Sequence, residues 1–125
     1  MLKEILYVGV GGALGSVLRY ASGLLISKHF PGKFPLATLG VNIIGCLLIG
    51  VLMAYFIKHE TSQGWKLFLI TGFCGGYTTF SAFAAENITL IQQHQSVSAL
   101  LYIGLSVVLG LFAVWGGIQI FRYLA

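Results

Sequence analysis

The stretch GFCGGYTTFSAFAAE, residues 72–86, follows the apolar run LFLIT and decides how the chain folds. It contains three glycines, two threonines, a serine and a glutamate. Glycine and β-branched threonine weaken a helix. Broken membrane helices are tolerated where the freed backbone is buried in protein or lines a cavity. The stretch therefore predicts a membrane helix that breaks near Gly75–Thr79, at a functional position.

The rest of the sequence has the composition of an integral membrane protein. Of its 125 residues, 58% are hydrophobic and 8% are charged, whereas soluble domains are about 25% charged. A bilayer core needs roughly 20 apolar residues per helix. Four segments have that length, at about 5–26, 35–57, 66–91 and 97–121. We expect residues 1–125 to form one all-α membrane domain with four transmembrane helices.

Basic residues are nearly balanced between the two sides of the membrane. Four fall on the side of the N-terminus and three on the other: Lys3, Lys58, Lys66 and Arg122, against Arg19 near a helix end, Lys28 and Lys33. Orientation normally follows an excess of Lys and Arg on the cytoplasmic side. Either tertiary structure sets one orientation, or the chain inserts both ways and forms an antiparallel, dual-topology homodimer. Scattered basic residues make a poor nucleic-acid footprint, so lipid is the expected partner and nucleic acid is not.

The glycine run GVGGALG, residues 9–15, predicts close helix packing. A dinucleotide fingerprint would need a glycine at position 14, which is leucine, and a preceding strand. Gly11 and Gly15 instead form a GxxxG pair, whose small residues let two membrane helices approach closely.

Enzyme chemistry is not indicated. The chain has no aspartate, and its only carboxylates are Glu4, Glu60 and Glu86. The histidines fall in links or at helix ends, so no nucleophile–base pair or metal-ligand spacing can be built inside the membrane. Cys46 and Cys74 lie in apolar runs, form no CxxC motif and are interpreted as small buried residues.

Uncharged polar residues at membrane depth are the remaining candidates. Asn42 lies in the second span, where an unpaired amide is costly, so it either joins helices or lines a wet cavity. Phe80 and Phe83 share a helix face at i, i+3. Aromatic rings have positive edges, so two edges beside hydroxyl and amide donors can hold a small anion. These residues indicate a permeation pathway or substrate site without naming the ion.

Three blocks resemble the Fluc/CrcB family of fluoride channels: GGALGSVLRY (11–20), PLATLGVNIIGCLLIG (35–50) and GFCGGYTTFSAF (72–83). The third block is the specific one, and the similarity covers essentially the whole chain. The resemblance implies a small four-helix protein of the bacterial cell membrane that works as a dual-topology homodimer. It also implies passive, selective export of fluoride.

The resemblance assigns roles to individual residues. Phe80 and Phe83 match the paired phenylalanines whose ring edges line the fluoride path. Asn42 matches the asparagine that contributes an amide to that path. Gly75 and Thr78 match the helix break whose backbone carbonyls hold a structural Na⁺ at the dimer centre.

Further matches and departures follow from the same resemblance. Thr79 and Ser81 match the hydroxyl residues after the break, and Ser106 matches a fourth-helix serine near the pore, although Ser can also bond its own helix backbone. Arg19 and Glu86 match charged positions of the family to which no role is assigned here. Two residues depart from the family pattern, Ala82 where many relatives carry a hydroxyl and Tyr77 where leucine is common.

Two other classes of protein stay open. A coupled transporter of the small multidrug resistance type also has about four short helices and inserts both ways. It needs a protonatable carboxylate in the middle of its first helix, whereas Glu4 lies at the start. A non-conducting membrane scaffold, held together by its glycine faces, predicts that Phe80→Met or Phe83→Ile changes stability at most.

Overall fold

The computed structural model describes residues 1–125 and contains helices and no strands. Its elements are α1 (Leu2–His29), α2 (Leu36–Lys58), α3 (Gln63–Lys66), a π-helical segment (Leu67–Cys74), α4 (Gly75–Tyr77), α5 (Phe80–Gln92) and α6 (Ser96–Leu124). Four helical spans are long and apolar enough to cross a membrane: α1, α2, the discontinuous third span Gln63–Gln92, and α6. The predicted all-α, four-span fold is confirmed. The first, third and fourth spans are a few residues longer than their predicted apolar segments, and α2 has the predicted length, displaced by one residue.

The outer faces of all four spans are apolar. Only 17 of the 125 residues are buried, and the exposed ones include many leucines, valines and aromatic residues. A contiguous apolar surface of this kind is rare on a soluble monomer, but it is the surface that lipid covers around membrane helices. The chain is therefore a multi-pass membrane protein.

Glycines allow α1 to pack closely on the first half of the third span. A Cβ at Gly11 would lie against the carbonyl oxygen of Phe68, and a Cβ at Gly15 against that of Phe73. From the other side, a Cβ at Gly76 would meet the carbonyl of Gly12. The structure thus places Gly11 and Gly15 where backbone lies directly against backbone.

A second close pair forms between α2 and α6. A Cβ at Gly50 would meet the carbonyl oxygen of Val114, and a Cβ at Gly117 that of Leu47. Both α1 and α2 also contact the third span, and α5 packs on α6. The interrupted third span is consequently held from both sides by continuous helices.

The third span breaks at two threonines. Thr78 has φ −91° and ψ 159°, and Thr79 has φ −149° and ψ 118°, so both are extended. The break lies within the predicted range, although Gly75 and Gly76 are themselves helical. The π-helix at Leu67–Cys74, just before the break, was not predicted from the sequence. Such π-helical turns are frequent at functional sites.

Candidate functional site

Asn42 of α2 replaces the missing helical hydrogen bonds at the break. Its Nδ2 donates to the carbonyl oxygen of Thr79 at 3.0 Å, and its Oδ1 accepts from the Thr79 N–H at 2.8 Å. In a continuous helix, that N–H would bond the carbonyl of Gly75. Asn42 also lines a cavity beside the break, so it joins two helices and lines a cavity at the same time.

Thr79 caps the N-terminus of α5. Its Oγ1 accepts a hydrogen bond from the Ala82 N–H at 3.1 Å, and in a continuous helix this N–H would bond the carbonyl of Thr78. Asn42 binds the Thr79 N–H and Thr79 binds the Ala82 N–H. The carbonyls of Gly75 and Thr78, which these N–H groups would bond in a continuous helix, therefore lose their usual donors. Unwound backbone carbonyls are suitable ligands for Na⁺, so the residues present fit the structural ion that the resemblance implies.

Arg19 satisfies the Gly76 carbonyl at the end of the first half of the third span. Its Nε donates to this oxygen at 3.0 Å, and a cation is favourable at the negative end of a helix. Arg19 lies well inside α1, which continues to His29, and its assignment to a helix end was wrong. Without Arg19, four basic residues lie near span ends on the side of the N-terminus and two lie near span ends on the opposite side.

A cavity of about 550 Å³ opens beside the break, between α2, the third span and α6. Its lining includes seven of the candidate pathway and ion-site residues: Asn42, Gly75, Thr78, Thr79, Phe80, Phe83 and Ser106. The Phe80 and Phe83 ring centroids are 5.6 Å apart and their planes are inclined at 46°. The buried hydroxyl of Ser106 bonds no protein group, including its own helix backbone. It is therefore free to donate into the cavity.

Among the residues named by the resemblance, Ser81, Ala82 and Tyr77 lie outside this cavity. Ser81 is exposed, and its hydroxyl lies 3.2 Å from that of Thr79. Ala82 lines a separate, smaller cavity of about 210 Å³, so this departure from the family pattern does not alter the cavity of the two phenylalanines. The Tyr77 hydroxyl donates to Ser22 Oγ at 3.0 Å and ties the third span to α1.

Glu86 is held by two hydroxyl groups that sequence reasoning missed. Thr38 Oγ1 donates to Glu86 Oε2 at 3.0 Å, and the Tyr102 hydroxyl donates to Oε1 at 3.1 Å. Tyr102 is completely buried, and its ring packs edge-on against Phe83 with centroids 5.0 Å apart. Tyr102 thereby links the carboxylate of Glu86 to the phenylalanine pair. The only sign of this contact in the sequence was Tyr102, a residue with a hydroxyl group inside the fourth apolar segment.

Replacing Tyr102 with phenylalanine is expected to lower the thermal midpoint of the detergent-solubilised protein. The variant removes a hydrogen bond to a charged group, which is worth about 1.5–3 kcal/mol, and leaves the ring contact with Phe83 in place. Tyr123→Phe is the matched control, since Tyr123 is 93% exposed on the same helix. The midpoint is measured by size-exclusion chromatography after heating. Equal midpoints for the two variants would contradict this role of Tyr102.

Four spans, an interrupted third span and a cavity of uncharged donors at the break define a small multi-pass membrane protein with a candidate ion site. Residues 6–118 match the family model described as CrcB-like protein, camphor resistance (CrcB). The chain belongs to the CrcB family.

Relatives match over nearly their whole length. A fluoride-specific ion channel FluC of Flavobacterium psychrophilum is 53% identical over 124 residues, which cover 98% of this chain and 100% of the relative. A protein of the same name from Rhizobium meliloti is 49% identical, over 97% and 98% of the two chains. Another from Pseudomonas syringae pv. tomato is 43% identical, over 98% and 99%.

Proposed function

We propose that the chain is a fluoride-selective channel through which fluoride leaves the bacterial cell passively. The relatives' name, fluoride-specific ion channel FluC, supports this function. The observation of this structure that carries it is the cavity at the break, where amide and hydroxyl donors meet the rings of Phe80 and Phe83. Fluoride is a small, strongly hydrated hydrogen-bond acceptor. Hydrogen-bond donors that line a narrow pathway replace the water that fluoride loses on entry, as in other selective channels.

The hydrogen-bond donors and ring edges of the cavity favour an anion without supplying a full positive charge. The N-terminus of α5, which begins at Phe80, is the positive end of a half-helix placed inside the membrane. Asn42 keeps one amide N–H beyond the pair that it shares with Thr79, and Ser106 keeps its hydroxyl. The positive ring edges of the phenylalanines complete the lining. Passive flow of this kind requires no titrating residue in the cavity.

A second copy of the chain in the opposite orientation is proposed to complete the pathway. Two observations support an antiparallel homodimer. Phe80 is 78% exposed in the single chain although it lines the cavity, so its outer side needs a covering partner. The small Lys and Arg bias between the two sides also permits both orientations.

A structural Na⁺ is proposed at the carbonyls of Gly75 and Thr78, with both subunits contributing. Support comes from the loss of their usual helical donors to Asn42 and Thr79. When bound, the ion would fix the extended backbone and place positive charge at the centre of the dimer. The chain's own residues define the break independently of the ion, since Asn42 holds both backbone groups of Thr79.

The proposal is tested by the reversal potential of currents across a planar bilayer that contains the purified protein. A tenfold fluoride gradient with symmetric chloride is expected to give a reversal potential of about 59 mV, the value for a monovalent ion. An added pH gradient should leave this potential unchanged because no proton is coupled to the flow. A reversal potential near zero, set by the symmetric chloride, or one that follows the pH gradient would overturn the proposal. A potential that follows the pH gradient would favour a coupled transporter.

A further inference from the structure

Two cysteines from different spans line the cavity beside the break. Cys46 of α2 is half-buried, Cys74 of the π-helical segment is buried, and both are free thiols. Gly45, next to Cys46, packs against the side chain of Thr78. Thr78 in turn lies one turn from Cys74 and donates its hydroxyl to the Cys74 carbonyl at 2.9 Å. The contacts through Thr78 thus bring together, at this cavity, the two segments that carry the thiols.

The two thiols themselves suit a soft cation better than a hard one. The cavity lining contains no carboxylate and no histidine, and no group of three or more ionisable ligands exists in the chain. Thiolates select soft metal ions. A thiophilic ion such as Hg²⁺ is satisfied by two sulfurs in a linear arrangement, so it needs no third ligand.

We propose that Cys46 and Cys74 together bind one soft divalent cation, such as Hg²⁺, in the wall of this cavity. Two S–H bonds break and two S–Hg bonds form, the two protons pass to the solvent, and no electron is transferred. The product, a metal ion with two thiolates, carries no net charge. Neutrality matters here because an uncompensated charge in apolar surroundings is costly. The bound metal narrows the cavity next to Thr78.

Titration of the purified protein with Hg²⁺ tests the site directly. The ultraviolet charge-transfer absorption of the S–Hg bond is followed in detergent, with excess 2-mercaptoethanol as a competing monothiol. In a parallel titration without 2-mercaptoethanol, the wild-type chain is expected to bind one Hg²⁺ and to release two protons, read with a pH indicator dye. Cys46→Ser and Cys74→Ser should each bind at least roughly 100-fold more weakly, because the second thiol no longer acts at high effective concentration.

Several outcomes would overturn the site. These are no binding to the wild type, two independent Hg²⁺ ions per chain, or a single-cysteine variant that binds as tightly as the wild type. Each position is also tested as alanine, and a single symmetrical peak in size-exclusion chromatography verifies that each variant is folded.

Block of ion flow is a separate consequence, which rests on the proposed function. Hg²⁺ should stop fluoride release from liposomes that contain the wild-type protein. Release through Cys46→Ser is compared with the rate of the same variant before Hg²⁺ is added, and this rate should change little. Binding without block would overturn this consequence alone. Absence of fluoride release from untreated liposomes would overturn the proposed function, whereas the absorption titration judges the metal site independently.

Discussion

Phe83→Ile is expected to reduce fluoride flux through the reconstituted protein by roughly 10- to 100-fold. The Phe83 ring lies between Phe80, at 5.6 Å, and Tyr102, at 5.0 Å, and isoleucine has no positive ring edge to offer a dehydrated anion. Losing a contact comparable to a hydrogen bond to a charged group costs about 1.5–3 kcal/mol, and each 1.36 kcal/mol corresponds to a factor of ten in rate.

The effect of Phe83→Ile is measured as the initial rate of fluoride release from liposomes at equal protein density. Phe112→Ile is the matched control, because Phe112 lies on α6, is 63% exposed and does not line the cavity. Size-exclusion profiles of both variants establish that each is folded. Unchanged flux through Phe83→Ile would mean that the phenylalanine pair is packing, as the scaffold interpretation holds.

Asn42→Ala is expected to abolish flux and also to destabilise the fold. The substitution leaves the N–H and the carbonyl of Thr79 without their partner, and each buried unsatisfied group costs about 1–3 kcal/mol. The substitution also removes the free amide N–H from the cavity. The destabilised fold and the missing amide donor are both expected to lower fluoride flux.

Asn87→Ala is the control for Asn42→Ala. It shows how much flux and stability are lost when an amide side chain is removed from a span at a position other than Asn42. Asn87 is also buried, but its Nδ2 donates only to the Phe83 carbonyl of its own helix at 2.9 Å, and its Oδ1 bonds no protein group. We expect this variant to keep near wild-type flux and a higher thermal midpoint than Asn42→Ala. Equal losses of flux in the two variants would contradict a specific role for Asn42.

The break illustrates how far the sequence predicts local structure. Gly75 and Gly76 suggested weakness, yet both are helical and the extended residues are Thr78 and Thr79. Gly76 serves instead to admit the backbone of α1, since a Cβ there would meet the carbonyl of Gly12. Thr79 can leave the helix because the Asn42 side chain satisfies both of its backbone groups. The position of the break was predictable, but the division of roles between glycine and threonine depends on tertiary contacts.

Other features lay beyond sequence reasoning for a similar physical reason. Arg19 was placed near a helix end because the sequence cannot show that a carbonyl of the third span faces it. The contacts of Glu86 with Thr38 and Tyr102 join three different spans, and a single sequence carries no information about which spans face one another. The π-helical segment has no local signal either. Apolar length and patterning, by contrast, were sufficient to predict the four spans.

The central claim, selective passage of fluoride, is tested most directly by ion release from liposomes that contain the purified, folded protein. Liposomes loaded with potassium fluoride are followed with a fluoride electrode after addition of a potassium ionophore, and matched liposomes with potassium chloride are followed with a chloride electrode. Fast fluoride release without comparable chloride release is the predicted result. Release of neither ion, or equal release of both, from protein shown to be dimeric would contradict the assignment of a fluoride-selective channel.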